Sequence, residues 1–287
     1  MDVEISKPAA TPQADEPESG LDKARGTLRA GLRLTAMFAW TLPCLALRLC
    51  ARPLVLVAPG AERRARCAIM KFWAAGALRI INVRVKVIGT PPKGQFFIVA
   101  NHLGYLDIFL LTQQLGCVFV AMHEMADWPL VGFIARAVNT IFVNRKSWRE
   151  VQVVNEAVAA ALAEGQSVLM FPESTTSYGH DLLPFRAALL EAPITAKVPV
   201  HFAALQYHRT PECLDPEHDV CWVDDVPFGA HVKEFLRIPR VEATLAFGDA
   251  PLSAPDRKAL ARSLENSVRE ILPPRDPVPA LGRSTVS

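Results

Sequence analysis

The sequence predicts an α/β fold: a mostly parallel twisted sheet flanked by helices, preceded by an N-terminal membrane-associating segment of two helices. Three observations carry this. From Val83 onward, short apolar runs rich in β-branched residues alternate with helix-length connections. Parallel strands need such crossovers because no tight turn can join them. Three of those runs end abruptly in polar clusters, Asn101-His102, Asn144-Arg145-Lys146 and Pro172-Glu173-Ser174-Thr175, and ligands of open α/β sheets bind at the carboxyl ends of strands. Ahead of Val83 the chain is apolar, and its charges from Lys23 to Lys86 are all basic apart from Glu62.

With 287 residues, 51% of them hydrophobic, the chain is long enough for one large α/β core or two small ones. A net charge of +2 gives no reason to expect a nucleic-acid partner. Residues 1–24 are an acidic leader, rich in Pro and Ala and without periodicity, expected to be disordered. The start is acidic and the first apolar stretch begins too far in for a secretory signal.

Residues 25–85 form the membrane-associating segment. Leu34 to Leu47 is nearly all apolar, bounded by Arg29, Arg33, Arg48 and Arg52 and interrupted by Pro43. This charge-free run is shorter than the ~20 residues that span a bilayer. It suits a segment dipping into one leaflet while its arginines snorkel to the headgroups. Residues 62–81 read as a second helix, with Ile69, Phe72, Trp73, Gly76, Ala77 and Ile80 on one face and Arg64 and Lys71 nearly opposite. The basic surplus fits the cytoplasmic face of an anionic membrane.

Residues 86–272 hold the α/β domain proper. Strands are predicted at 83–88, 96–100, 118–122, 140–143, 167–171, 198–205, 220–224 and 240–247. Helices are predicted at 106–115, 128–138, 147–163, 229–237 and 254–271. Ser147 with Glu150 three residues on resembles a capping box, and Gly165 ends that helix. Pro273-Pro274 stops the last helix, and a Pro-rich tail occupies 273–287. Six cysteines at 44, 50, 67, 117, 213 and 221 form no C-x-x-C, which favours reduced structural thiols in an intracellular setting.

The chemistry is expected where the second strand ends. On a regular helix His102 and Asp107 would diverge, but across a strand–turn–helix junction they can meet. A carboxylate on Nδ1 fixes the imidazole tautomer and leaves Nε2 free to take a proton. If the strands are parallel, Arg145 and Glu173 converge on the same edge, adding a cation and a carboxylate.

Asn101-His102-Leu103-Gly104-Tyr105-Leu106-Asp107 resembles the NHxxxxD block of the lysophospholipid acyltransferase family, which includes the 1-acylglycerol-3-phosphate acyltransferases. Thr140 to Arg145 is similar to that family's second block. Phe171-Pro172-Glu173-Ser174-Thr175 resembles its third, usually FPEGT, and Ala196 to Val200 its fourth. The likeness covers residues 98 to about 204 and continues loosely toward 272. It implies an O-acyltransferase in which His102, oriented by Asp107, takes the proton of a lysolipid hydroxyl that attacks the thioester of acyl-CoA or acyl carrier protein. Asn101, Arg145, Glu173, Ser174 and Thr175 are the substrate-binding residues it implies, with the bilayer as a partner and no metal or other cofactor.

Three positions depart from the pattern. Ser174 replaces the usual Gly, Thr176 stands where phosphatidate-forming members commonly carry Arg, and Met122 where many carry Lys. Thr175-Thr176-Ser177 with Leu183-Pro184-Phe185-Arg186 resembles a branch that includes lyso-ornithine lipid acyltransferases. Lysophosphatidate is the first acceptor expected, being the family's commonest, with His123, Lys146 or Arg186 to supply missing charge; lyso-ornithine lipid is second. Rival readings are weaker. A metal site from His201, His208, Cys213, His218 and Cys221 matches no zinc module. A lipid hydrolase lacks a G-x-S-x-G elbow, and a purely membrane-binding protein would not need the His–Asp pair.

Overall fold

The apolar runs assemble one sheet. The computed structural model of the chain describes residues 20–128, 131–143, 148–223 and 226–276. Its strands are β1 (Val83–Ile88), β2 (Phe97–Ala100), β3 (Val118–Met122), β4 (Ile141–Val143), β5 (Val168–Met170), β6 (Val200–His208) and β7 (Val241–Phe247). Their order is β1-β7-β6-β2-β5-β3-β4. Strands β6, β2, β5, β3 and β4 run parallel to their neighbours, β1 runs parallel to β7, and the β6–β7 pair is antiparallel. The polar ends of β2 and β5 therefore lie on one edge, as the sequence requires.

Strand β2 lies between β5 and β6, and all four of its residues are fully buried. That is why it reads as a continuous apolar run without alternation. Its side chains still point to opposite faces in turn. Ile98 and Ala100 join a core with Leu78, Leu106 and Leu110, while Phe97 and Val99 join a second with Val158, Leu162 and Leu264.

The helices that cover the two faces are α1 (Gly20–Ala51), α2 (Pro59–Ile81), α3 (Leu106–Leu115), α4 (Val131–Ala137), α5 (Trp148–Ala163), α6 (Glu191–Thr195), α7 (Pro216–Asp219), α8 (Phe228–Phe235) and α9 (Arg257–Ile271). Asp256 caps α9, its carboxylate accepting from the N–H groups of Lys258 and Ala259. Gly116 ends α3 in the left-handed conformation (φ +60°).

Of the predicted strand at 220–224, the described residues 220–223 form no strand. Val220 and Cys221 are buried, but the segment is irregular and the Trp222 N–H donates to Leu103 O. An apolar run alone does not separate a strand from a buried loop. The capping box at Ser147 lies outside the described residues.

The N-terminal segment departs most from expectation. Residues 20–24, expected in the disordered leader, begin α1, with Asp22 in its first turn where the helix dipole favours an acid. Exposed Pro43 does not break the helix, which runs 32 residues, about 48 Å at 1.5 Å per residue. Its length and composition suffice to cross a membrane, longer than the charge-free run implied.

Three of the expected snorkelling arginines bond to protein, Arg29 through the carbonyl of Arg237. Arg33 donates to the carbonyls of Leu236, Ile238 and Pro239. Arg48 forms a buried ion pair with Glu62 of α2 at 2.7 Å. The buried stripe of α2 is Glu62, Arg66, Met70, Ala74, Ala77, Leu78 and Ile81, which shares only Ala77 with the apolar face the periodicity picked. That predicted face instead meets α1. Trp40 lies over Gly76, where a Cβ would come within 2.1 Å of its ring, and the Trp73 indole donates to Thr41.

Candidate active site

Strand β2 stops at Ala100 because its next side chain takes over the ladder. The Asn101 amide oxygen accepts from Leu205 N–H at 2.7 Å, and its nitrogen donates to Leu205 O at 3.0 Å. The main chain is released to turn without leaving β6 unpaired. Asn101, expected to bind substrate, is 2% exposed, and its amide holds the turn. Gly104 permits the next close approach, since a Cβ there would lie 3.0 Å from the Trp222 nitrogen.

The turn delivers His102 onto Asp107 in the first turn of α3, with Nδ1 2.8 Å from Oδ2. The same carboxylate oxygen accepts from the N–H groups of Leu103 (2.6 Å) and Gly104 (2.9 Å), and the Tyr207 hydroxyl donates to Oδ1. Asp107 is wholly buried and bonded at both oxygens. Because a carboxylate accepts, the imidazole proton is assigned to Nδ1. The ring stacks on Phe171 with centroids 3.9 Å apart. Its Nε2 makes no hydrogen bond among the described residues, and the side chain is 18% exposed. A positioned, accessible imidazole nitrogen is what a general base requires.

Glu173 braces this turn from β5. Its carboxylate accepts from His102 N–H at 3.0 Å and from Leu183 N–H at 3.3 Å. Burial pushes its pKa up to about 8, against the two N–H bonds; the charges of Asp107 and Glu265 add to the rise. A carboxyl so raised binds its proton more tightly folded than unfolded. Its contribution to stability is therefore full below the unfolded value, 4.5, and is lost as pH rises toward 8. Thermal unfolding of Glu173→Gln between pH 4.5 and 8 is expected to show a shallower fall in stability than the parent; equal slopes would mean Glu173 is not the titrating group.

The other predicted residues separate. Ser174 holds φ +64°, a left-handed turn position where a side chain is strained, which accounts for Gly at this place in the resembling block. Thr175 is half-buried, and Thr176 and Ser177 are buried. Ser177 N–H returns to His102 O at 3.0 Å, tying the third block to the first. Arg145, with Asn144 and Lys146, lies outside the described residues.

Tyr207 and Phe171 were missed. Phe171 stood in plain view beside Pro172, but nothing in the sequence marks Tyr207. It reaches Asp107 because β6 runs past the end of β2. Removing its hydroxyl in Tyr207→Phe leaves a buried carboxylate oxygen unpaired, a loss of ~1–3 kcal/mol. Steady-state kinetics are expected to show kcat lower by about tenfold with KM values unchanged.

Comparison with known proteins fits this geometry. Residues 82–205 match the family model described as Acyltransferase. Along 264 residues the chain is 33% identical to the lyso-ornithine lipid O-acyltransferase of Rhodobacter capsulatus, covering 90% of this chain and 94% of that one. Over 154 residues it is 38% identical to the 1-acyl-sn-glycerol-3-phosphate acyltransferase of Neisseria gonorrhoeae, covering 52% and 58% of the two. Its fold is similar to the crystal structure of PlsC, the 1-acyl-sn-glycerophosphate (LPA) acyltransferase of Thermotoga maritima. The TM-score is 0.64 at 19% identity, with 87% of this chain and 95% of that one covered. The chain belongs to the lysophospholipid acyltransferase family.

Proposed function

We propose that the chain transfers a fatty acyl group from a thioester, acyl-CoA or acyl carrier protein, to the free hydroxyl of a lysolipid. The observation that carries this is the His102–Asp107 pair at 2.8 Å, with Nε2 unengaged among the described residues. His102 Nε2 takes the hydroxyl proton as the oxygen attacks the thioester carbonyl. The tetrahedral adduct collapses, the C–S bond breaks, and the imidazolium returns the proton to the departing thiolate. The thioester is already activated, so no protein nucleophile is needed. General-base action contributes ~10²–10⁴-fold, and alignment of the two substrates up to ~7–11 kcal/mol.

Lyso-ornithine lipid is the acceptor we favour. The relative that matches along nearly the whole chain carries that name, and Thr176, buried and neutral, stands where a phosphate-binding Arg is common. This reverses the order expected from sequence. Lysophosphatidate is the second reading, supported by the higher identity to the phosphatidate-forming relative over about half the chain. The purified protein, given both acceptors with both donor types, is expected to show at least tenfold higher kcat/KM with lyso-ornithine lipid, since each missing charge-assisted contact weakens phosphate binding by ~1.5–3 kcal/mol. A preference for lysophosphatidate would reverse the assignment.

The protein works, in this reading, on the cytoplasmic face of a membrane. Leu28, Leu32, Phe38, Leu42 and Leu47 of α1 are exposed, as are Leu56 (85%), Val57 (81%) and Phe72. One stripe of α1, from Gly26 through Arg33 and Thr41 to Arg48, is buried against the rest of the protein. The first part of α1 is held to the α/β domain through Arg29 and Arg33, and the rest packs on α2, so we place it beside the domain in one leaflet rather than across the bilayer.

A further inference from the structure

The amino-terminal edge of the sheet, opposite the edge that bears His102, holds a separate cavity of about 360 Å³ lined by Arg63, Arg64, Arg66 and Lys71 of α2. Gly94, Gly116 and Gly165, which precede β2, β3 and β5, complete its wall. Strand β2, four residues long, spans about 13 Å between this edge and the catalytic turn at ~3.3 Å per residue.

Four cations surround this hollow with little to offset them. Arg66 is 1% exposed. It donates to Gln166 Oε1 at 2.8 Å and to Val138 O at 3.4 Å, but its Nε has no hydrogen-bond partner. The nearest carboxylate, Glu62, stands 3.8 Å from that Nε and already holds Arg48 at 2.7 Å. Arg63 reaches the backbone carbonyl of Glu164 at 2.6 Å, while the Glu164 carboxylate accepts from Gln166. Arg64 and Lys71 have no hydrogen bond or ion pair among the described residues.

The glycines shape the floor. Gly116 (φ +60°) and Gly165 (φ +74°) hold left-handed conformations. A Cβ at Gly116 would lie 2.8 Å from Cys67 O and 3.1 Å from the Lys71 chain, and one at Gly165 would lie 3.2 Å from Arg63 Nη1. Only bare backbone lets these cations lie so close.

We propose that this cavity binds a phosphate group, as a monoester or diester. Guanidinium forks and an ammonium match tetrahedral phosphate oxygens through charge-assisted hydrogen bonds, and the one carboxylate beside Arg66 is shared with Arg48, which leaves the cluster short of negative charge. The phosphate has two possible sources: a phospholipid headgroup or a soluble phosphate compound. The site stands apart from His102 and does not rest on the acyl-transfer reading.

The test compares the full-length protein with Arg64→Gln/Lys71→Gln and with a control, Arg79→Gln/Arg84→Gln. The control removes the same charge from exposed positions outside the cavity. Inorganic phosphate is titrated into each protein in neutral detergent micelles and followed by ³¹P line broadening. Each is also sedimented with phosphatidylcholine vesicles with and without phosphatidylglycerol. The cavity variant is expected to lose at least about tenfold in affinity, and the control less than about twofold. Selective loss of saturable phosphate binding assigns a soluble ligand, and selective loss of phosphatidylglycerol-dependent binding assigns a headgroup. Equal losses in both variants, or none in the cavity variant, would overturn the site.

Discussion

Replacing His102 by Ala is expected to lower acyl transfer by ~10²–10⁴-fold, with folding and vesicle binding unchanged. The imidazole is the group that faces outward at the carboxyl edge of β2, and its Nε2 is unengaged among the described residues. Its ring contributes one stacking contact, on Phe171, so the fold survives its loss. Circular dichroism and vesicle sedimentation check that half of the prediction, and initial rates with saturating donor and acceptor check the other. Retention of more than a few per cent of the rate would place the base elsewhere.

Asp107→Asn is expected to cost activity on the order of 10³-fold or more, and stability as well. Three donors converge on Asp107 Oδ2, and Tyr207 donates to Oδ1. A carboxamide offers one acceptor and one donor group, so its NH₂ must face at least one of these donors. If it faces the imidazole, it holds the wrong tautomer. If it faces Tyr207, the hydroxyl must reverse inside the core. Either leaves buried polar groups mismatched, at ~1–3 kcal/mol. Rate measurements with thermal unfolding check both losses; a near-normal rate would mean the pair is not coupled in catalysis.

These predictions rest on contacts that the sequence already suggested. The strands were legible where apolar runs were short and ended in Gly or polar clusters, and β1 and β3 have the bounds expected for them. The His102–Asp107 contact followed from a strand end and a helix start five residues apart. The inward turn of Arg33, Arg48 and Arg66 was not legible, because their partners are carbonyls and side chains distant in sequence. An apolar stretch flanked by arginines looks the same whether those arginines meet headgroups or protein. The antiparallel entry of β7 also left no mark, since strand runs carry no direction. Tyr207 belongs to the same class: its partner lies 100 positions earlier, and only the β2–β6 register joins them.

At Asn101 and Glu173 one chemistry serves two ends. Asn101 is a good polar ligand on paper, yet its amide continues a ladder. Glu173, expected to help orient the acceptor site, accepts at both oxygens from backbone N–H groups of the catalytic turn and its neighbour loop. Both residues sit beside the site and shape it from behind.

Direct attack of the acceptor hydroxyl on the thioester leaves no acylated protein, and pre-steady-state kinetics read this out. The enzyme is mixed with radiolabelled acyl thioester without acceptor, quenched, and assayed for free thiol and protein-bound label; lysolipid is then added. The account predicts neither thiol nor acylated protein above background before the acceptor arrives, and thiol equal to acylated lipid afterwards. A burst of thiol stoichiometric with enzyme, carrying label onto the protein, would contradict it.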